Sequence, residues 1–170
     1  MGGGGSETAT LALSRLSWDE YFLKMAQLVS ERSKDRSTQV GAVLVGQHHE
    51  VRGTGYNGFP RGVNDDVDAR HERPGKYLWT AHAERNAIDS ACLSGTHTEG
   101  CTLYINFSLY PCPDCMRGII QSGIVRVVGV KNKPFTGKGN FWLDSFKVSK
   151  EMAEEAGIEC VKVEFPSLTF

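Results

Sequence analysis

The spacing of apolar and polar positions predicts helices and strands that alternate along the chain. Ser17 is a favourable N-cap, Glu20 would complete a capping box, and apolar residues then recur at helical spacing up to about Ser33. The apolar run at 40–45 predicts a buried strand, and 51–56 predicts a strand that returns after a polar turn. The members of the helical stripe are Tyr21, Phe22, Met25, Leu28 and Val29.

The rest of the chain repeats a helix followed by a strand. The order αββαβαβαβ implies a sheet with helices on both faces. The first two strands should form an antiparallel hairpin, and the later strands, which helices separate, should run parallel. We therefore predict an α/β fold of three α-β-α layers around a mixed five-stranded sheet. The later elements are predicted at 84–93 (helix), 101–105 (strand), 115–121 (helix), 124–130 (strand), 143–156 (helix, stopped by Gly157) and 158–165 (strand).

Length and composition predict one globular domain. The chain has 170 residues, enough for a sizeable core. We expect residues 1–15, which include a Gly-rich linker, to be flexible and 16–170 to form the domain. No apolar run approaches membrane-span length, and the chain begins without a secretion signal, so we expect a cytoplasmic protein with no membrane partner.

The charge balance argues against a polynucleotide substrate. The formal net charge is −1 and the sequence pI is near 6.5, with basic residues spread along the chain. Proteins that grip a nucleic-acid backbone usually carry a basic surplus or stripe. We therefore expect a small-molecule substrate and no nucleic-acid partner.

Two short motifs carry the candidate chemistry. They are H-A-E at 82–84 and P-C-P-D-C at 111–115. His82, Cys112 and Cys115 would supply three ligands to one zinc ion and leave the fourth tetrahedral position open, as in catalytic sites. A redox dithiol, or two packed small apolar side chains, is the alternative interpretation of the cysteine pair.

Glu84 follows the ligating histidine by two positions. Zinc lowers the pKa of bound water, and a nearby carboxylate can then move protons. The alternative is an acidic residue that merely suits a helix N-terminus. The combined His-x-Glu and Pro-Cys-x-x-Cys pattern is typical of zinc-dependent nucleobase deaminases.

The remaining histidines and cysteines lack ligand spacing. His48 and His49 lie in the predicted polar turn and should be exposed. Cys92, Cys101 and Cys160 fall on helix or strand positions and should be buried as small core residues.

Two segments before the first motif are less distinctive. The glycine-containing loop at 55–62 could be a tight turn or could bring its backbone close to a ligand. The polar stretch at 64–76 predicts a surface insertion whose charged residues are solvated.

With these motifs in place, the chain resembles the deoxycytidylate (dCMP) deaminase family of the cytidine deaminase superfamily. The resemblance implies a cytidine-deaminase-like fold and hydrolytic deamination of dCMP to dUMP and ammonia, which supplies thymidylate synthesis. Together the matching stretches cover most of 17–130. They are 32–35, 39–42, 55–58, 82–88, 111–115 and 119–124.

The resemblance also implies roles for individual residues. Glu84 would be catalytic, Asn57 matches a position near the sugar, and Ala83 and Tyr110 would contact substrate. The phosphate candidates, which could equally be a solvated helix end, are Lys34, Arg36 and Ser37.

The same resemblance implies cofactors and partners. We expect one catalytic Zn²⁺ and no second structural zinc, because the insertion contains His71 but no cysteine. Family members are often homohexamers, and some respond to dCTP and dTTP. The alternatives are a deaminase of another small substrate (5-substituted dCMP, a free nucleoside or a base), a tRNA adenosine deaminase, or a non-catalytic zinc or nucleotide-binding module.

Overall fold

The computed structural model describes residues 15–130 and 140–164. Residues 1–14 of the predicted flexible segment, residues 131–139 and the end of the last predicted strand lie outside these ranges. The helices are α1 (Trp18–Ser30), α2 (Lys76–Trp79), α3 (Ala83–Leu93), α4 (Pro113–Gln121) and α5 (Asn140–Glu155), with a 3₁₀ turn at Asp68–His71. The strands are β1 (Gly41–Val45), β2 (Val51–Tyr56), β3 (Thr102–Ile105), β4 (Arg126–Val130) and β5 (Glu159–Val163).

The five strands form one mixed sheet in the order β2-β1-β3-β4-β5. Strand β1 runs antiparallel to both β2 and β3, whereas β3, β4 and β5 are parallel. The predicted hairpin and the parallel later strands are both confirmed. Because β1 has neighbours on both edges and helices on both faces, all five of its residues are buried.

The strand pleat divides the core into two layers. Val43 and Val45 of β1 pack with Phe22 of α1 on one face of the sheet. Ala42 and Leu44 face the other way, into the layer that contains α3, α4 and part of α5. The predicted three-layer arrangement is confirmed.

Helix α1 begins as predicted, but its buried face differs from the predicted stripe. The Ser17 hydroxyl accepts a hydrogen bond from the backbone amide of Glu20. The Glu20 carboxylate accepts a hydrogen bond from the backbone amide of Ser17, which completes the capping box. Of the predicted stripe, Tyr21 and Leu28 are exposed. Phe22 of the stripe is fully buried as predicted, and Leu23 and Ala26, which the stripe did not include, complete the buried face.

An ion pair and a hydrogen bond join α1 to the sheet. Arg126 of β4 donates to both oxygens of Asp19, at 2.8 and 2.9 Å, and the Tyr104 hydroxyl of β3 donates to the same carboxylate at 2.9 Å. Hydrogen bonding from Arg126 lowers the pKa of Asp19, although partial burial opposes the shift. The carboxylate therefore contributes to holding the helix across two strands.

The remaining predictions for single residues have mixed outcomes. His48 and His49 are exposed, and Cys101 is buried, as predicted. Cys160 is only half-buried, and Cys92 is exposed, so the predicted burial of Cys92 is wrong. Among residues 15–130 and 140–164, no helix is long and apolar enough to cross a bilayer.

Candidate metal centre and active site

The two motifs meet at the N-termini of two helices. His82 is the N-cap of α3, and Glu84 lies in the first turn of that helix. Cys112 is the N-cap of α4, Pro113 opens that helix, and Cys115 lies one turn in. The positive end of each helix dipole favours anionic groups such as thiolates at this point.

The three candidate ligand atoms form one cluster. Nδ1 of His82 lies 3.3 Å from Sγ of Cys112 and 3.4 Å from Sγ of Cys115. Ligand bonds of the usual lengths to a tetrahedral zinc would place nitrogen and sulfur about 3.6 Å apart. An imidazole and two thiols at this spacing fit a zinc ion, and they form the only such group in the described part of the chain.

The carboxyl of Glu84 lies next to this cluster. Its Oε2 is 3.9 Å from Sγ of Cys115, and the residue is buried. Burial raises the pKa of Glu84 above its ordinary value. Hydrogen bonding to Cys115 lowers the pKa of Cys112 to about 4, which favours the thiolate, the form of cysteine that ligates metals.

A close backbone approach positions the start of α3. A Cβ on Gly55 of β2 would lie 2.2 Å from the Ala87 nitrogen and 2.3 Å from the Ala83 oxygen. Only glycine therefore allows the helix to lie this close to the strand. At Gly55 the close approach is to α3 and not to a ligand. At the other end of the 55–62 loop, Gly62 has a φ of +79° and the Val63 amide donates to the Pro60 carbonyl at 3.1 Å, so the tight-turn interpretation is correct there.

Two further contacts hold the segments that carry the ligands. Gly58 and Ala81 exchange backbone hydrogen bonds of 3.1 and 2.8 Å, which join the end of the β2 loop to the residue before His82. The buried Ser149 hydroxyl of α5 donates to the Pro111 carbonyl at 2.7 Å. Helix α5 thus supports the residue before Cys112.

A cavity of about 350 Å³ opens beside the cluster. It is large enough for a small ligand. Three of the substrate candidates from the sequence, Asn57, Ala83 and Tyr110, line it together with His82, Glu84 and Cys112. Additional lining residues are Asp35, Thr38, Val40, Arg73, Lys76, Tyr77, Thr80, Phe107, Ser108, Pro111 and Phe146.

Asn57 also has a structural role. It is buried, its Oδ1 accepts the amide of Val40 at 2.8 Å, and its Nδ2 donates to the carbonyl of Thr38 at 2.9 Å. A primary amide has two N–H groups and a carbonyl with two lone pairs. One donor and one lone pair therefore remain after these contacts.

The structure does not place the three phosphate candidates in this cavity. Lys34 and Arg36 line a second, neighbouring cavity, where Lys34 pairs with Asp65. Arg36 pairs with Asp68. Ser37 is exposed and lines neither cavity.

The insertion supplies cavity residues that the sequence analysis missed. Lys76 is 7% exposed and pairs with Asp35, so the expectation that charged residues of the insertion are solvated is wrong for Lys76. Arg73 also lines the cavity. No periodicity or motif marks these residues, because their position depends on the contact between the insertion and the loop after α1.

Comparison with known proteins assigns the family. The model of the cytidine and deoxycytidylate deaminase zinc-binding region matches residues 16–131. The chain belongs to this deaminase family. The family description confirms that the matched region is zinc-binding, in agreement with the cluster at the ends of α3 and α4.

Individual family members resemble the chain over most of its length. A protein named uncharacterized deaminase in the luxG 3′ region of Aliivibrio fischeri is 41% identical over 143 residues, 84% of this chain and 90% of the relative. Human deoxycytidylate deaminase is 41% identical over 123 residues, 69% of this chain and 67% of the relative. The dCMP deaminase of cyanophage S-TIM5, solved with dCMP and dUMP, has a TM-score of 0.66 at 27% identity and covers 88% of this chain and 99% of that one.

Proposed function

We propose that this chain hydrolyses dCMP to dUMP and ammonia. The observation that supports the chemistry most strongly is the buried Glu84 carboxyl beside one imidazole and two thiols, at the wall of a cavity. Three protein ligands suit a catalytic zinc, because a structural zinc usually has four. The dCMP deaminases among the similar proteins support the substrate.

Each residue of the site has a proposed task. A zinc ion held by His82, Cys112 and Cys115 would supply hydroxide near neutral pH. Glu84 takes up one proton from water and delivers it to N3 of cytosine, then takes up the proton of the new C4 hydroxyl and delivers it to the departing amine. The C4–O bond forms, the C4–N bond breaks, and ammonia leaves. Asn57, Ala83 and Tyr110 line the cavity wall and bind the nucleoside.

The partners follow from the same proposal. One zinc ion binds each chain, and a small nucleotide is the substrate. A homohexamer, binding of dCTP or dTTP, and a cytoplasmic location remain predictions. Light scattering tests the first, because a mass of one chain would contradict it.

A substrate panel tests the reaction. Ammonia release is measured with dCMP, CMP, deoxycytidine, 5-methyl-dCMP and guanine. We expect the highest kcat/KM for dCMP. Turnover of another member of the panel without turnover of dCMP would refute the proposed substrate but retain the chemistry.

Replacement of Glu84 tests the proton transfer. Glu84→Gln keeps the shape of the side chain, so the variant should retain zinc and lose about 10²- to 10⁴-fold in kcat. The matched control is Glu99→Gln at an exposed glutamate. Activity of Glu84→Gln near that of the control would exclude the proposed role.

Replacement of Cys112 tests the metal site. Cys112→Ala removes one of three ligands and should reduce the zinc content measured by elemental analysis. Cys92→Ala, at an exposed cysteine away from the cluster, should keep full zinc content. Equal zinc in both variants would contradict the ligand assignment.

A further inference from the structure

We propose that Arg73 determines specificity for a 5′-phosphorylated substrate by binding the phosphate in the cavity beside Glu84. This inference rests on the proposed deamination of dCMP. It assigns phosphate recognition to a residue that the motifs do not include, in place of Lys34 and Arg36.

Lys76, the other long basic side chain that lines the cavity, has no hydrogen-bond donor left for a phosphate. The Lys76 ammonium donates to Asp35 at 2.9 and 3.1 Å, and Ser37 Oγ lies 3.3 Å from it. An ammonium has three N–H donors, so these three contacts use them all. The carboxylate of Asp35 also neutralises its charge.

The two basic phosphate candidates from the sequence are paired as well. Lys34 lies 2.9 Å from Asp65 and 3.5 Å from Asp66. Arg36 pairs with Asp68, and both basic residues face the neighbouring cavity. A phosphate that approached either would meet carboxylates of its own sign.

Arg73 differs from these three residues. It lines the cavity and is exposed, and it forms no hydrogen bond or ion pair with the described side chains of residues 15–130 and 144–164. Its five N–H donors in a planar fork match two oxygens of a phosphate. A nucleotide phosphate carries close to two negative charges at neutral pH, whereas a nucleoside has no charge for Arg73 to attract.

The two carboxylates that line the cavity do not cancel the attraction between Arg73 and a phosphate. Asp35 is paired with Lys76, and Glu84 is buried beside the metal cluster. Among the described lining residues, Arg73 therefore supplies the positive charge that has no partner. Its guanidinium should contribute to binding of dCMP and not to binding of deoxycytidine.

Kinetics of Arg73→Gln on both substrates test this assignment. We expect kcat/KM for dCMP to fall about 10- to 100-fold, the range for loss of a charge-assisted hydrogen bond, and kcat/KM for deoxycytidine to stay unchanged. Arg73→Lys should recover part of the loss, because it keeps the charge without the fork. Arg61→Gln, at an exposed arginine outside the cavity lining, is the matched control.

Inhibition by products gives an independent measurement. The inhibition constant of dUMP should rise in Arg73→Gln by a similar factor, whereas that of deoxyuridine should not change. An unchanged preference for dCMP over deoxycytidine would overturn the inference, and so would an equal loss on both substrates. If the wild-type chain does not deaminate dCMP, the proposed function itself fails, which is a different result from an active enzyme that is indifferent to Arg73.

Discussion

Removal of the Lys76 ammonium should strongly destabilise the fold. The side chains of Lys76 and Asp35 are only 8% and 10% exposed, and the pair joins α2 to the loop after α1 across 41 positions of sequence. Burial raises the pKa of Asp35, but Lys76 and the amides of Thr38 and Ser37 outweigh it and lower the pKa below its ordinary value. The carboxylate therefore stays ionised at neutral pH and needs its partner.

The magnitude follows from what the substitution leaves behind. In Lys76→Met the Asp35 carboxylate is buried with only the Ser37 and Thr38 amides as donors, at 2.8 and 3.0 Å. Removal of one partner of a buried ion pair costs about 3–5 kcal/mol, and because two donors remain we expect about 3 kcal/mol. With a urea slope of about 2 kcal/mol/M, the unfolding midpoint falls by about 1.5 M.

Urea unfolding followed by circular dichroism measures this loss. The control is Lys34→Met, which breaks a solvent-exposed pair and should leave the midpoint nearly unchanged. The double variant Asp35→Asn/Lys76→Met removes both charges and should be more stable than the sum of the two single losses predicts. If Lys76→Met has the midpoint of Lys34→Met, the pair is not the buried, essential contact described above.

Two further predictions concern the sheet contacts of α1 and α3. Asp19 has a pKa lowered by Arg126, so its contribution to stability is complete above its ordinary value of 3.8 and is lost as the pH falls from there through the folded pKa. Unfolding free energies of the wild type and Asp19→Asn should therefore converge below about pH 4, and a constant difference down to about pH 2 would contradict the linkage. Gly55→Ala would force α3 away from β2, so we expect a loss of about 2–3 kcal/mol or more and reduced zinc content. Gly58→Ala, whose added Cβ would contact only the Tyr56 ring at 3.5 Å, is the control, and equal thermal stability of the two would refute the argument.

Local patterns predicted most of the fold because they reflect short-range physics. The capping box at Ser17 and Glu20 depends on residues three positions apart, and the start of α1 was predicted correctly from it. The buried face of α1 was predicted less well. Tyr21 and Leu28 are apolar at suitable positions, but the sheet contacts the neighbouring face of the helix that contains Leu23 and Ala26.

The candidate site divides in the same way. His82, Glu84, Cys112 and Cys115 were found because the required side chains lie in two short motifs, and the structure brings them together. Asp35 was part of a matching stretch without an assigned role. Its contact with Lys76 is a long-range pairing, which no window of local sequence contains.

The sequence by itself therefore determined the order of the long helices and the strands, the mixed sheet and the donor set that could hold a metal, because spacing and side-chain chemistry are local properties. It did not predict the short helix α2 of the insertion. The tertiary structure alone decided which charges are neutralised. It paired Lys76 with Asp35, Lys34 with Asp65 and Arg36 with Asp68, and it left Arg73 in the cavity without a described partner. Whether a basic side chain is left without an acidic partner depends on which carboxylates the folded chain brings within a few ångströms of it. Attraction between ions weakens with distance and with exposure to water.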